Sequence, residues 1–209
     1  MRQTKGYALI FFSILACTLL VICCGCGSGR SSSGPATLSQ SQILAAANQI
    51  TQTFVASSAQ MGSDECGNPS DPTQRYYCTI PIASNVACSG GGTVGVTGTN
   101  SGDLDYSNTG DTTGILTYTP TNCSIPGSKL VMNGNPGLTF TSSMFYFYGG
   151  VSSFTVTATG PINYSSNPTG ACQANLTIVA SFAGDSHHTV VSCTVSGTAC
   201  GETIGQNCQ

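Results

Sequence analysis

Apolar and polar positions alternate in two different rhythms along this chain. In "LSQSQILAAANQITQTFVASSAQMG", Ile43, Ala47, Ile50, Phe54 and Met61 recur at helical spacing. Ser39 sits before the run with Gln42 three residues on, a capping box, and Leu38 and Ile43 can form a hydrophobic staple around it. Gly62 is a natural stop. The pattern predicts one helix over about 39–61 that packs against a sheet. From "PIASNVACSGGGTVGVTGT", beginning at Pro81, the period is two. Val94 and Val96 alternate with Thr93, Gly95 and Thr97. Phe154, Val156 and Ala158 share one face, as do Leu176, Ile178, Ala180 and Phe182. Turn signals such as "NTGD", "NGNPG", "YGG" and "NPTG" separate these runs. About six to nine antiparallel strands over roughly 88–200 follow, as a curved sheet or a sandwich. The segment "SDECGNPSDPTQRYYC" before them reads as a loop by its Pro, Asn, Asp and Gly content.

One hairpin yields a register. If "AGDSHH" is the turn between "NLTIVASF" and "TVVSCTVSG" and is centred near Ser186, Phe182 pairs with Val190. Carried outward, that register sets Cys172 opposite Cys200 and predicts a bridge between them, which one bulge would break.

The N-terminus changes the picture of where such a domain works. Arg2 and Lys5 precede an uncharged stretch of about 18 apolar residues, Tyr7 to Cys24, the pattern of a secretory signal and near the lower limit for a spanning helix. "CCGC" then passes into "GSGRSSSGP". Here the chain resembles bacterial lipoprotein signals, in which a small residue precedes a cysteine that is lipidated and becomes the first residue. Gly25-Cys26 matches that step. Cys23 and Cys24 stand where that motif prefers an aliphatic and a small residue. Ala16-Cys17 is a second candidate, but it would strand "TLLVI" in the mature chain. The resemblance implies residues 1–25 as signal peptide, lipidation at Cys26, a flexible tether over 26–37 and a single β-rich domain over 38–209. A plain signal or a retained helix is the alternative. "TKGYALIFF" also looks like a type IV prepilin leader at Gly6-Tyr7, but Phe11 stands where that family has an acid. The Gly/Thr-rich stretch from Cys88 to Gly201 is similar to uncharacterised exported or lipid-anchored bacterial β proteins, which assigns no residue a role.

Composition sharpens the compartment. Charged residues make up only 6% of the chain, so hydroxyls and amides must carry its solubility. After Cys26 there remain Arg30, Arg75 and Lys129 against eight acids. With no basic patch, nucleic acid is excluded as a partner. Eight cysteines follow the leader: Cys66, Cys78, Cys88, Cys123, Cys172, Cys193, Cys200 and Cys208. An even count behind an export signal reads as disulfides, and none forms a C-x-x-C pair.

The candidate chemistry is sparse. His187 and His188 are the only histidines, adjacent to each other and near Asp185 in a turn, and no G-x-S-x-G elbow exists. Asp103, Asp105 and Asp111 offer oxygen ligands for calcium, but Ser107 and Asn108 break the EF-hand pattern. In "MFYFYGG", Phe145 and Phe147 fall on one strand face and Tyr146 and Tyr148 on the other, so one pair can be core and the other a ligand surface. No cofactor is implied. The expectation is a non-catalytic binding or structural module, lipid-anchored in the bacterial cell envelope, holding a protein, glycan or apolar ligand. The alternatives are a carrier with an apolar cavity, a hydrolase with an unrecognised site, and a minor-pilin-like subunit.

Overall fold

A computed structural model describes residues 38–58, 61, 71, 73–134, 137–165, 169–183 and 189–208. All of these lie in one unit, Pro35–Gln209. The element order is α1 (Gln40–Ser58), β1 (Tyr76–Ala87), β2 (Thr93–Leu104), β3 (Gly110–Thr121), β4 (Cys123–Ile125), β5 (Leu130–Asn133), β6 (Leu138–Phe147), β7 (Gly150–Ser165), β8 (Gly170–Phe182), β9 (Val190–Ala199) and β10 (Glu202–Asn207). The ten strands form one antiparallel sheet in the order β1-β2-β3-β6-β7-β8-β9-β10. The β4–β5 hairpin leaves this path and rejoins at the end of β7, where Val131 pairs with Ser165. Short sequential hairpins dictate this meander, because nearest neighbours in sequence pair first and no crossover helix intervenes.

The sheet is curled rather than split into a sandwich. Gly98 and Gly197 stand at the same cross-strand level, each one strand in from an edge, with φ of 150° and 124°. A Cβ on Gly98 would strike the Ile115 carbonyl, and one on Gly197 the Asn175 carbonyl. Glycine kinks of this kind are how a sheet bends on itself. In keeping with that, α1 touches both edge strands, β1 and β10. The helix therefore lies in the hollow of the sheet, as its burial shows: Ile43, Ala46, Ala47, Ile50 and Phe54 are in the core.

The capping box forms as its sequence requires. The Ser39 amide donates to Gln42 Oε1 at 3.0 Å, and the Gln42 amide donates to Ser39 Oγ at 3.3 Å. Leu38 and Ile43 are both buried. The helix ends at Ser58, three residues short of the expected end, and Met61 is buried but not helical. The Ser57 and Ser58 hydroxyls take the Phe54 and Val55 carbonyls as the helix closes. Gly62 lies outside the described residues.

The helix also buries polar residues: Gln49, Thr51, Thr53, Ser57 and Ser58. Most are satisfied within the helix itself. Thr51 Oγ1 donates to the Ala47 carbonyl and Thr53 Oγ1 to the Gln49 carbonyl, a local bond that removes the desolvation cost of a buried hydroxyl. Further bonds lock the helix in place. Gln42 Nε2 donates to the Ser128 carbonyl, Ser89 Oγ donates to Gln49 Oε1, and Gln206 Nε2 donates to Asn48 Oδ1.

Two strands lie outside the expected range of about 88–200. β1 lies in the stretch that reads partly as loop, and its inward residues are Cys78, Ile80, Ile82 and Ser84. Pro81 interrupts the apparent alternation but is tolerated because β1 is an edge strand, whose outer side needs no ladder donor. A proline there also blunts the edge against pairing with another chain. β10 buries only Ile204, too few apolar positions to show a period.

Three disulfides close among the described residues, Cys88–Cys123, Cys172–Cys200 and Cys193–Cys208. Cys78 is also disulfide-bonded, and Cys66 lies outside the described residues. Phe182 does pair with Val190, but a bulge follows, so Ser181 pairs with Ser192 and Ala174 with Ala199. That shift would set Cys200 opposite Gln173, one residue short of Cys172. The chain instead leaves the ladder at Cys200, with φ 54°, and the Cys200 amide donates to the Gln173 carbonyl. This turn brings the two Cα atoms to 4.9 Å. The expected bridge forms although the uninterrupted register behind it does not.

Two core tyrosines make the fold sensitive to alkali. Tyr146 Oη has no hydrogen-bond partner, and Tyr118 Oη approaches the Thr53 hydroxyl without closing a bond of good geometry. Burial raises both pKa values above that of a free tyrosine. In the unfolded chain these phenols ionise near pH 10, while the folded chain holds them neutral. Their stabilising contribution is therefore full below about pH 10 and is lost as pH rises beyond it. Urea midpoints measured across this range should fall above about pH 10, and Tyr118→Phe with Tyr146→Phe should flatten that fall.

Candidate functional site

The hollow of the sheet is occupied. Phe54 of α1 meets Phe140 of β6 and Phe154 of β7 edge-on, with centroids 4.9 and 5.1 Å apart. Beside the helix, the space bounded by Ile50, Tyr118, Met132, Leu138 and Ile162 amounts to about 10 Å³, room for about one water and for no ligand. The concave side is a packed core where the described residues fill it.

The convex side has a different character. Its positions alternate with the core and carry mostly threonine and serine, among them Thr97, Thr117, Thr139 and Thr159 on one cross-strand row. This is not the apolar band of a barrel that crosses a membrane. Among the described residues no helix is long and apolar enough to cross one.

A depression of about 220 Å³ interrupts this face. It follows a row across five strands, Asp111 of β3, Phe145 of β6, Ser153 of β7, Ser181 of β8 and Ser192 of β9, each paired with the next. At the usual strand spacing the row spans about 19 Å. Its cause is visible in the register. The β6–β7 ladder slips after Phe145 and Ser153, leaving Ser152 as an extra residue. The β8–β9 ladder slips after Ser181 and Ser192, leaving Val191 extra. Two bulges at one level bend neighbouring strands together, and bulges re-aim side chains at such places.

The lining is chemically mixed. Phe145 is half-buried and offers an aromatic surface. Ser181 Oγ and Ser192 Oγ are hydrogen-bonded to each other at 2.7 Å. The Asp111 carboxylate is the only charged group in the lining. Tyr146 turns inward and is fully buried. Tyr148 is 70% exposed but lies at the β6–β7 turn, with φ 50°. Of the expected aromatic pairs, Phe145 and Phe147 do share the outward face, but Tyr146 and Tyr148 part company because the strand ends between them.

The three aspartates do not assemble into a calcium site. Asp103 and Asp111 are cross-strand partners on the exposed face. Asp105 turns into its own loop instead: its Oδ1 accepts from the Ser107 amide and hydroxyl and from the Thr109 amide. The Ser107 hydroxyl bond above all holds this carboxyl below the usual carboxylate range. Among the described residues no group of three His, Cys, Asp or Glu could hold a metal ion. His187, His188 and Asp185, and the leader cysteines Cys17, Cys23, Cys24 and Cys26, lie outside the described residues.

A second, wider groove of about 550 Å³ runs between Gln52 and Val55 of α1 and Val190–Thr194 of β9. It is largely apolar and carries no charged group in its lining. Its walls reach Val190 and Cys208, close to the limits of the described residues. The trough on the convex face is the better defined of the two, since described residues bound it on all five strands.

The trough was not legible as a site. Phe145 and Asp111 stand out as residue types, but they are 34 positions apart and meet only through the β3–β6 pairing. Searches against protein-family models, curated proteins and solved structures found no match to this chain.

Proposed function

We propose that the chain is an exported, lipid-anchored protein of the bacterial cell envelope whose role is non-catalytic binding at the convex face of its sheet. The observation that carries this is the division of labour between the two faces. α1 fills the hollow against the middle strands and leaves an apolar groove only beside β9, while the trough, bounded by described residues on five strands, opens outward on a surface of hydroxyls. A carrier of an apolar ligand would need the reverse arrangement, an empty apolar hollow with a polar exterior. The anchor rests on the Gly25-Cys26 step and the glycine- and serine-rich stretch after it, which would give the domain reach from the membrane surface.

The test uses the full chain in detergent, mixed with insoluble envelope fragments from an exporting bacterium and sedimented. The expected result is co-sedimentation that weakens about tenfold when Phe145→Ala and Asp111→Asn are combined. The same loss should be absent for Asn207→Ala in the second groove. Equal sedimentation of the double variant and the unaltered chain would reject the convex face as the binding surface. For the anchor, the intact mass of the membrane-extracted protein should correspond to a chain starting at Cys26 with a diacylglyceryl group and an acyl chain. A chain starting at Tyr7 would point to a pilin-like subunit instead.

A further inference from the structure

We infer that the trough takes a neutral glycan, laid across the strands with one sugar ring over Phe145. This rests on the reading of the convex face as the binding surface and names what it binds. Charge decides the first point. No lysine or arginine lines the trough, and the one charged group there is the Asp111 carboxylate, with Asp103 opposite it on β2. Two carboxylates at one end disfavour an anionic polymer. Among the described residues, the Arg75 guanidinium, which donates to the Asp103 carbonyl at 2.9 Å, is the one cation beside them and is not part of the lining. Asp111 can instead accept hydrogen bonds from ligand hydroxyls, and a charged acceptor makes such bonds stronger.

The polar lining decides the second point. Ser143, Ser153, Ser181 and Ser192 each carry a hydroxyl that both donates and accepts. The bond between Ser181 and Ser192 uses one hydroxyl hydrogen of the pair and leaves the other to donate outward. A wholly apolar ligand would strip water from these groups and return nothing. An extended peptide fares no better, because its amides seek a strand edge and the trough lies on a sheet face, where ladders run on both sides of β3, β6, β7, β8 and β9. A ligand edged with neutral hydroxyls and faced with C–H groups answers both halves of the lining, hydroxyls against serine and Asp111, and C–H faces against Phe145.

The size decides the third point. At about 220 Å³ the depression is smaller than the ~300–1,000 Å³ pockets that enclose a whole small ligand. It is open and long, which suits part of a chain rather than a free monosaccharide.

The experiment is native electrophoresis of the full chain in detergent through gels containing a neutral polysaccharide: β-glucan, mannan, xylan or soluble starch in turn. Polygalacturonate, an anionic polymer, is the contrast. The expected result is retardation by at least one neutral polysaccharide and none by polygalacturonate. Phe145→Ala should abolish the retardation and Asp111→Asn should weaken it about tenfold. Tyr148→Ala, an exposed aromatic outside the trough, should leave it unchanged. Phe145 is half-exposed on the outer face, so its truncation should leave the fold intact, and a melt of the variant checks this. No retardation by any of the four, or equal retardation of Phe145→Ala, overturns the inference. If envelope fragments still sediment the chain in a trough-dependent way, the glycan assignment alone falls; if they do not, the binding-face reading falls with it.

Discussion

Phe54→Ala should cost about 3–5 kcal/mol of stability, the range for removing a large aromatic from a close-packed interior. Phe54 is fully buried and stands at the hub of an aromatic cluster that crosses four strands. Its ring meets Phe140 and Phe154; Phe140 in turn lies 5.3 Å from Tyr118, and Phe154 lies 5.9 Å from Phe182. Truncation removes the contact on which β3, β6, β7 and β8 converge and leaves a void that the curled sheet cannot close without bending. Urea unfolding followed by far-ultraviolet circular dichroism reads the loss. Ala56→Ser, on the exposed side of the same helix, should change stability by no more than about 0.5 kcal/mol. A Phe54→Ala loss below about 1 kcal/mol would mean that α1 is a surface helix, and the account of a filled hollow would fail with it.

The second large effect belongs to the Cys88–Cys123 bridge. It closes a separation of 35 residues, the longest of the three described, and restriction of the unfolded chain predicts a stabilisation of about 3–4 kcal/mol. It also holds together a corner where three elements meet. The Gly90 amide donates to the Ser124 carbonyl, the Ser124 amide donates to the Gly91 carbonyl, and Ser89 reaches α1 at Gln49. Cys88→Ala combined with Cys123→Ala avoids leaving a free thiol. The expected outcome is a lowered urea midpoint together with early loss of amide-exchange protection in β4 and β5, which have few other anchors. A midpoint unchanged from that of the oxidised parent would show that the corner holds without its bridge.

How far the sequence foretold this fold depends on the element. α1 declared itself through its cap and its apolar spacing. The central strands did so through Phe154–Ala158 and Leu176–Phe182, whose alternation is unbroken. β1 was half legible: its alternation shows from Pro81 on, but Tyr76–Cys78 close a stretch whose Pro, Asn, Asp and Gly content reads as loop, and a proline inside a strand is accepted only at an edge, which is a property of the assembled sheet. The buried polar side of α1 was hidden for a similar reason. Thr51, Thr53, Ser57 and Ser58 look solvent-facing until their hydroxyls bond back to the helix carbonyls. The choice between sandwich and curled sheet turned on single glycines, Gly98 and Gly197, whose strain appears only once their neighbours are in place. Least legible was the trough, which owes its existence to two bulges. A bulge adds one residue to a ladder and leaves no mark on composition or period, yet here it decides which side chains share a surface.

The central claim is that α1 closes the hollow and the outward trough does the binding. The most direct measurement is backbone amide chemical shifts of the labelled full chain in detergent, recorded as solubilised envelope fragments are added. The account predicts changes confined to the outward row, at Asp111, Phe145, Ser153 and Ser181, with Ile50, Phe54 and Phe140 unmoved. Changes centred on those core residues instead would mean that a ligand displaces the helix and enters the hollow, which contradicts the account.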